Sequence, residues 1–380
     1  MQYSKNKYYM PILFSVLRKT VPINIQVCLI NNYQLIICIL VPTFVKIDKM
    51  SQSTLIDQCK ERVGAKNLAA ELAELLGVNA DAAYRRMRGD TALTFDEIQK
   101  ICLRFNISFD SVINYQGRLV PFQFNGMFKD KFSIINYLIG IEQELKMLSS
   151  MGTEDAKIVM TAMDLPYFRQ FGFKSLSRFK LFFWQRSVLN LPDYATKKYD
   201  ADESLGEYEE ITDRIYQNYH GVPSTEIWAP ETLDSTIKQV QYYLESGLFV
   251  NKQSAINICD DIEALLTKLE SEAQLARKLI QTKEGTISSS FEMYQSDIFL
   301  SNNCIQAFKD GRTYTYVSFN SFNSLMSFSP HFSEECNRWI DQIRLKSILL
   351  SEVSEKLRYQ FFKRLREKLE GLRLLVNNSF

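Results

Sequence analysis

Between Ser51 and Val112 apolar residues recur at helical spacing in short segments, and each segment meets a residue that stops a helix. Leu55, Ile56, Cys59 and Val63 form one apolar stripe, closed by Gly64. Leu68, Leu72, Leu75 and Leu76 form the next, and Gly77 stands where a helix ends in a left-handed residue. Asn79 is placed to cap a third helix, Ala80–Arg88, which stops at Gly89. Thr94 followed by Glu97 is a capping box for a fourth, carrying Ile98, Ile101, Cys102 and Phe105, and Ser108 starts a short fifth. A chain cut this often cannot form a long bundle there. It can form only a small domain of short helices around one core.

Two of those helices are separated by a tight glycine turn, which is the helix-turn-helix arrangement. Leu72-Ala73-Glu74-Leu75-Leu76-Gly77-Val78-Asn79, followed by Ala83, Arg85, Arg88 and Gly89, resembles the helix-turn-helix of the Cro and phage-repressor (XRE-type) family, and Asn106-Ile107-Ser108 fits the stop after its fourth helix. The resemblance covers residues 50–115. It implies a five-helix domain that binds double-stranded DNA in a bacterial transcriptional regulator, with Ala80–Arg88 as the recognition helix. Two positions depart from the pattern: Arg86 stands where an apolar residue is usual, and Ala69 where a glutamine commonly contacts DNA.

The chemistry of Ala80–Arg88 can be read without the family. At about 100° per residue, Ala83 and Met87 share one face while Asp81, Tyr84, Arg85 and Arg88 lie opposite. The first pair would pack inward and the second group would face a groove. Arg85 suits guanine O6 and N7, Asp81 suits cytosine N4, and Tyr84 suits a base edge or a phosphate. Arg86 and Arg88 are assigned to phosphates, which set register without reading sequence. With Asn79 and Ala80 at the helix start, these seven residues are the candidate DNA-binding site. Residues 50–115 carry net charge −1, whereas Asn79–Gly89 carries +2, so positive charge is concentrated on this helix.

Familiar catalytic motifs are missing. No two of the 14 glycines are closer than the nine residues from Gly117 to Gly126, so G-x-G-x-x-G, the P-loop and G-x-S-x-G are all absent. With only His220 and His331 the chain has no H-E-x-x-H. The seven cysteines form no C-x-x-C pair and read as free thiols of a reducing compartment. The expectation is a protein that is not an enzyme, with no cofactor, metal or catalytic residue; an enzyme with an unsignatured site after residue 116 ranks last.

Beyond Gln116 the pattern is aromatic and helical. Helices are expected around Phe132–Leu145, Phe179–Val188, Pro230–Gly247, Ser254–Lys283, Ser333–Leu350 and Ser354–Val376, with Tyr194–Leu205 a loop. Phe291–Leu300 and Cys304–Phe319 read as strands, and Asp310-Gly311 as a hairpin turn. The fold class is therefore mainly α, with a five-helix N-terminal domain and a larger helical region holding a small antiparallel sheet near 290–320. The region's aromatics are assigned to core packing, its paired acids (Glu209-Glu210, Asp260-Asp261, Glu334-Glu335) to surface solvation, and Lys363, Arg364, Arg366 and Lys368 to a solvated helix face. Domains are expected at 50–115 (DNA binding), 116–285 (dimerisation or regulation) and 286–380 (sheet and closing helices).

Residues 1–49 contain no Gly, Ala or Glu and read as an extension ahead of a natural start at Met50. The alternative, a membrane anchor around Ile25–Val45, is interrupted by Gln26, Asn31, Asn32 and Gln34. The whole chain has net charge +1, and Met50–Phe380 alone −4, which excludes charge-driven, non-specific binding to nucleic acid. The function expected is a cytoplasmic, nucleoid-associated regulator that binds duplex DNA as a homodimer and answers to a small-molecule or peptide effector, with no membrane association. The alternative is an antitoxin-like interaction protein whose helix-turn-helix meets a protein.

Overall fold

The computed structural model describes residues 52–63, 67–105, 107–112, 120–127, 133–151, 156–203, 206–298, 300, 302–319 and 323–380. The expectations for residues 1–49, the Met50 start and the anchor reading alike, lie outside the described residues. The chain divides into two compact units, Met1–Arg118 and Leu119–Phe380.

In the first unit the punctuated pattern produces five helices: α1 (Gln52–Val63), α2 (Leu68–Leu76), α3 (Ala80–Arg88), α4 (Phe95–Arg104) and α5 (Phe109–Val112). Leu55, Ile56, Cys59, Leu68, Leu72, Ala83, Ile98, Ile101 and Phe105 make one buried cluster. Each fully buried leucine or isoleucine contributes about 1.5–3 kcal/mol, which is what a unit of this size has to set against chain entropy.

The second unit departs from expectation. Its sheet is neither small nor purely antiparallel: nine strands are described, β1 (Gln123–Phe124), β2 (Ala156–Ala162), β3 (Ser224–Trp228), β4 (Arg277–Thr282), β5 (Gly285–Gln295), β6 (Cys304–Lys309), β7 (Arg312–Phe319), β8 (Asn323–Ser327) and β9 (Ile348–Leu349). Their order is β1-β8-β7-β6-β2-β3-β5-β4, with β9 on β5. β2 pairs parallel with β3, and β3 parallel with β5. Parallel neighbours require crossover connections. The first crossover contains α7 (Tyr167–Gln170), α8 (Lys174–Phe183) and α9 (Glu207–Gly221), and the second α10 (Asp234–Glu245) and α11 (Lys252–Leu275). α6 (Ile134–Ser149), α12 (Pro330–Leu345) and α13 (Glu355–Asn378) complete the helices. Because β5 pairs with β3, residues 119–380 form one unit across the boundary expected at 285/286.

The helix expected to run to Lys283 stops at Leu275, where Ala276 takes φ 48° and turns the chain back as β4. The basic run of α13 is a solvated face only in part: Lys363 is exposed beside Glu367, while the other three side chains reach neighbouring elements. Arg366 pairs with Glu263 at 2.8 Å and Glu270 at 2.7 Å, Lys368 with Asp234 at 2.6 Å, and Arg364 donates to Gln295 Oε1 at 2.8 Å, binding α13 to α10, α11 and β5. Within the expected Tyr194–Leu205 loop, Tyr199 is buried and bridges Phe249.

The centre of this unit is a buried charge network. Arg169 of α7 donates to Glu226 Oε1 of β3 at 2.9 and 2.7 Å and to Glu272 of α11. The Tyr219 hydroxyl and Trp228 indole also donate to Glu226. His220 Nε2 lies 3.2 Å from Glu272 Oε1. All six side chains are buried.

This network makes stability depend on pH. Burial holds the His220 imidazole below its ordinary 6.5, against the pull of Glu272, so stability falls as pH drops below 6.5 and the unfolded chain takes up that proton. Burial works to raise the Glu272 pKa, but Arg169 and His220 prevail and hold it at about 2, against an ordinary 4.5. Its contribution is complete above 4.5 and is lost as pH falls from 4.5 towards 2. The urea midpoint of this unit is expected to fall through both windows. Glu272→Gln should lower the midpoint at neutral pH and flatten the step below 4.5. A wild-type midpoint that does not change with pH would contradict the network's role.

Candidate nucleic-acid interface

α2 ends at Gly77, whose φ of 66° is a left-handed conformation that a side chain would resist. Two residues later Asn79 adopts an extended backbone, and its Oδ1 accepts the Ala82 amide at 2.8 Å, starting α3. Gly89, at φ 81°, closes α3 after nine residues. Ala83 is fully buried against the core and Met87 packs beside it, so the orientation of α3 about its axis is fixed from inside.

That orientation exposes Asn79, Ala80, Asp81, Tyr84, Arg85 and Arg88. Six of the seven candidate residues therefore share the solvent side of α3 and its start. Arg85 pairs with Asp81 one turn back at 3.1 Å, and Arg88 with Asp90 at 2.7 Å. Exposed pairs of this kind are worth about 0.2–1 kcal/mol, so a phosphate or base edge can displace either carboxylate at small cost.

Arg86 is the exception. Its side chain is only 17% exposed and turns into the domain, where Nε and Nη2 meet Glu97 Oε1 at 3.1 and 2.9 Å. Glu97 Oε2 in turn accepts the Thr94 amide at 2.9 Å, and Thr94 Oγ1 accepts the Glu97 amide, completing the capping box of α4. Burial acts to raise the Glu97 pKa; the hydrogen bonds and charge supplied by Arg86 and Thr94 outweigh it, leaving the carboxyl below its ordinary range. An arginine thus occupies the usually apolar position because the carboxylate that receives it is already held by the next helix.

Gln52 of α1, which the sequence did not single out, locks the same corner. Its Nε2 donates to the Arg86 and Thr91 carbonyls at 2.7 and 2.9 Å, and its Oε1 accepts the Leu93 amide at 2.9 Å. Ala69 is buried on α2 and offers no hydrogen-bonding group to a backbone. Among the described residues no group of three or more His, Cys, Asp or Glu is placed to hold a metal ion, and no helix is long and apolar enough to cross a membrane.

A family model described as the BetR domain, a helix-turn-helix domain associated with transcriptional regulators, matches residues 50–132. The match spans less than a quarter of the chain and agrees with the helix-turn-helix built by α2 and α3. No curated protein and no solved structure matches the chain.

Arg86→Ala is expected to destabilise the first unit by about 1–3 kcal/mol, because it leaves a largely buried carboxylate without its charged partner. Arg88→Ala should change it by less than about 0.5 kcal/mol. Hydrogen exchange at the Ala83 and Ile101 amides reads this unit alone, and equal protection in both variants would contradict the inward role of Arg86.

Proposed function

We propose that this chain is a sequence-specific transcriptional regulator of the Cro-like helix-turn-helix type, with α3 lying in the major groove of double-stranded DNA. The observation that carries this reading is the outward set Asp81, Tyr84, Arg85 and Arg88 on a short helix that Ala83 fixes from behind. In this reading Arg85 exchanges Asp81 for guanine O6 and N7, Tyr84 meets a base edge or phosphate, and Arg88 leaves Asp90 for a phosphate. Asn79 and Ala80 bring the positive end of the α3 dipole towards the backbone. Arg86 serves the interface only by holding α3 against α4.

One helix of nine residues buries too little DNA for tight specific binding, and a homodimer spanning two half-sites about 34 Å apart remedies that. The second unit is assigned dimerisation and effector sensing, without catalysis, inside the cell with the nucleoid. A second reading, an antitoxin-like protein whose α3 meets another protein, is favoured by the Asp81 and Asp90 carboxylates that neutralise Arg85 and Arg88.

The two readings separate in a DNA titration by fluorescence anisotropy over a range of salt. On the preferred duplex Arg85→Ala is expected to cost about 1–3 kcal/mol. Arg88→Ala should weaken all duplexes about equally and reduce the salt slope by about 1. Binding by an Arg85→Ala/Arg88→Ala variant that equals wild type at every salt concentration would reject the assigned face.

A further inference from the structure

The second unit contains an open-mouthed cleft just beyond the carboxyl end of β2. There β2 lies between parallel β3 and antiparallel β6. Tyr137, Tyr167, Phe168, Trp184 and Tyr316 supply its aromatic walls. Two polar side chains on the same lining are incompletely satisfied. Lys180 is 1% exposed, and its Nζ donates to Gln239 Oε1 at 2.7 Å. No carboxylate forms an ion pair with Lys180 among the described residues. Asp164, also on the lining, is engaged instead by the Leu165 amide at 2.7 Å and the Ser235 hydroxyl at 3.2 Å. Gln170 is 2% exposed, and its Oε1 has no hydrogen-bond partner, while its Nε2 is held by the Leu165 carbonyl.

Each of these features costs free energy in an empty site. A buried ammonium whose direct partner is a neutral acceptor has its desolvation only partly offset by the nearby charge of Asp164, and a buried amide oxygen without a donor loses a hydrogen bond it had in water. The three requirements together define a ligand: an anionic acceptor for Lys180, a donor for Gln170, and a flat apolar body for the rings.

We propose that the cleft binds a small aromatic carboxylic acid bearing a hydroxyl group. The carboxylate accepts from Lys180 Nζ, the hydroxyl donates to Gln170 Oε1, and the ring lies among Tyr137, Tyr167, Phe168 and Trp184. Burial holds the Lys180 ammonium below its ordinary pKa although Asp164 acts the other way, so an arriving carboxylate adds to a compensation that Asp164 supplies only in part. That the acid is the effector of the DNA-binding unit rests on the function proposed above; occupancy of the cleft does not.

Calorimetric titration of the full chain, without DNA, tests occupancy with three probes: 4-hydroxyphenylacetate, its neutral amide, and phenylacetate. The hydroxylated acid should bind saturably at millimolar concentration or below. The amide, which lacks the charge, should bind at least about tenfold more weakly. Phenylacetate, which lacks the donor for Gln170, should also bind more weakly. In Lys180→Met the preference for acid over amide should vanish. The comparison of probes on the wild-type chain does not depend on that variant folding. Equal affinity for acid and amide, or no saturable binding of the acid, would overturn the proposal and leave the cleft a water-filled void. Repeating a DNA titration with and without the acid then tests the effector role separately.

Discussion

Arg86 turns away from solvent because Glu97 is already fixed where it must arrive. One carboxylate oxygen closes the capping box that starts α4, and the other receives the guanidinium from α3. The capping geometry holds Glu97 without Arg86, so the ion pair orders few additional groups and forms at low entropic cost. With Gln52 bonded to the Arg86 carbonyl from α1, three helices meet at this corner. The face that α3 presents to solvent depends on that meeting. A rotation of one residue about its axis would carry Tyr84 and Arg85 by about 100°.

The second unit obeys the same rule at greater depth. Arg169 has left water almost completely and is met by Glu226 from the sheet and Glu272 from α11. Breaking such a pair by removing one partner strands the other charge, which makes the geometry around it hard to deform. α7, which carries Arg169, also carries Tyr167, Phe168 and Gln170 of the cleft lining. The rigid network therefore holds one wall of a cleft whose own lysine makes no ion pair among the described residues.

How much of this was legible follows from the kind of signal each element carries. The limits of α3 could be read because Asn79 and Gly89 act locally, and the Asp310-Gly311 turn because both residues adopt positive φ, 49° and 72°. The inward course of Arg86 could not, since it depends on where Glu97 sits across the helix interface; the only trace in the sequence was a charged residue at a usually apolar position. β2 and β3 are hard to read because they are short: the buried and exposed positions of β2 alternate only over Ala156–Met160, and β3 buries the polar Ser224 and Glu226 beside Ile227 and Trp228. β4 was merged with α11 because an alanine, not a glycine, makes the turn between them. Glu226, Glu272 and Arg169 lie far apart along the chain, and nothing in their local sequence distinguished them from the adjacent acid pairs that face solvent or surface arginines.

In the proposed function α3 reads DNA as part of a symmetric pair. Selection of bound duplexes from a random pool by the purified full chain tests it most directly. The expected result is an enriched consensus of two related halves with centres about one helical turn apart, lost when Arg85 is replaced by alanine. A pool that stays random after repeated rounds at low salt would contradict it.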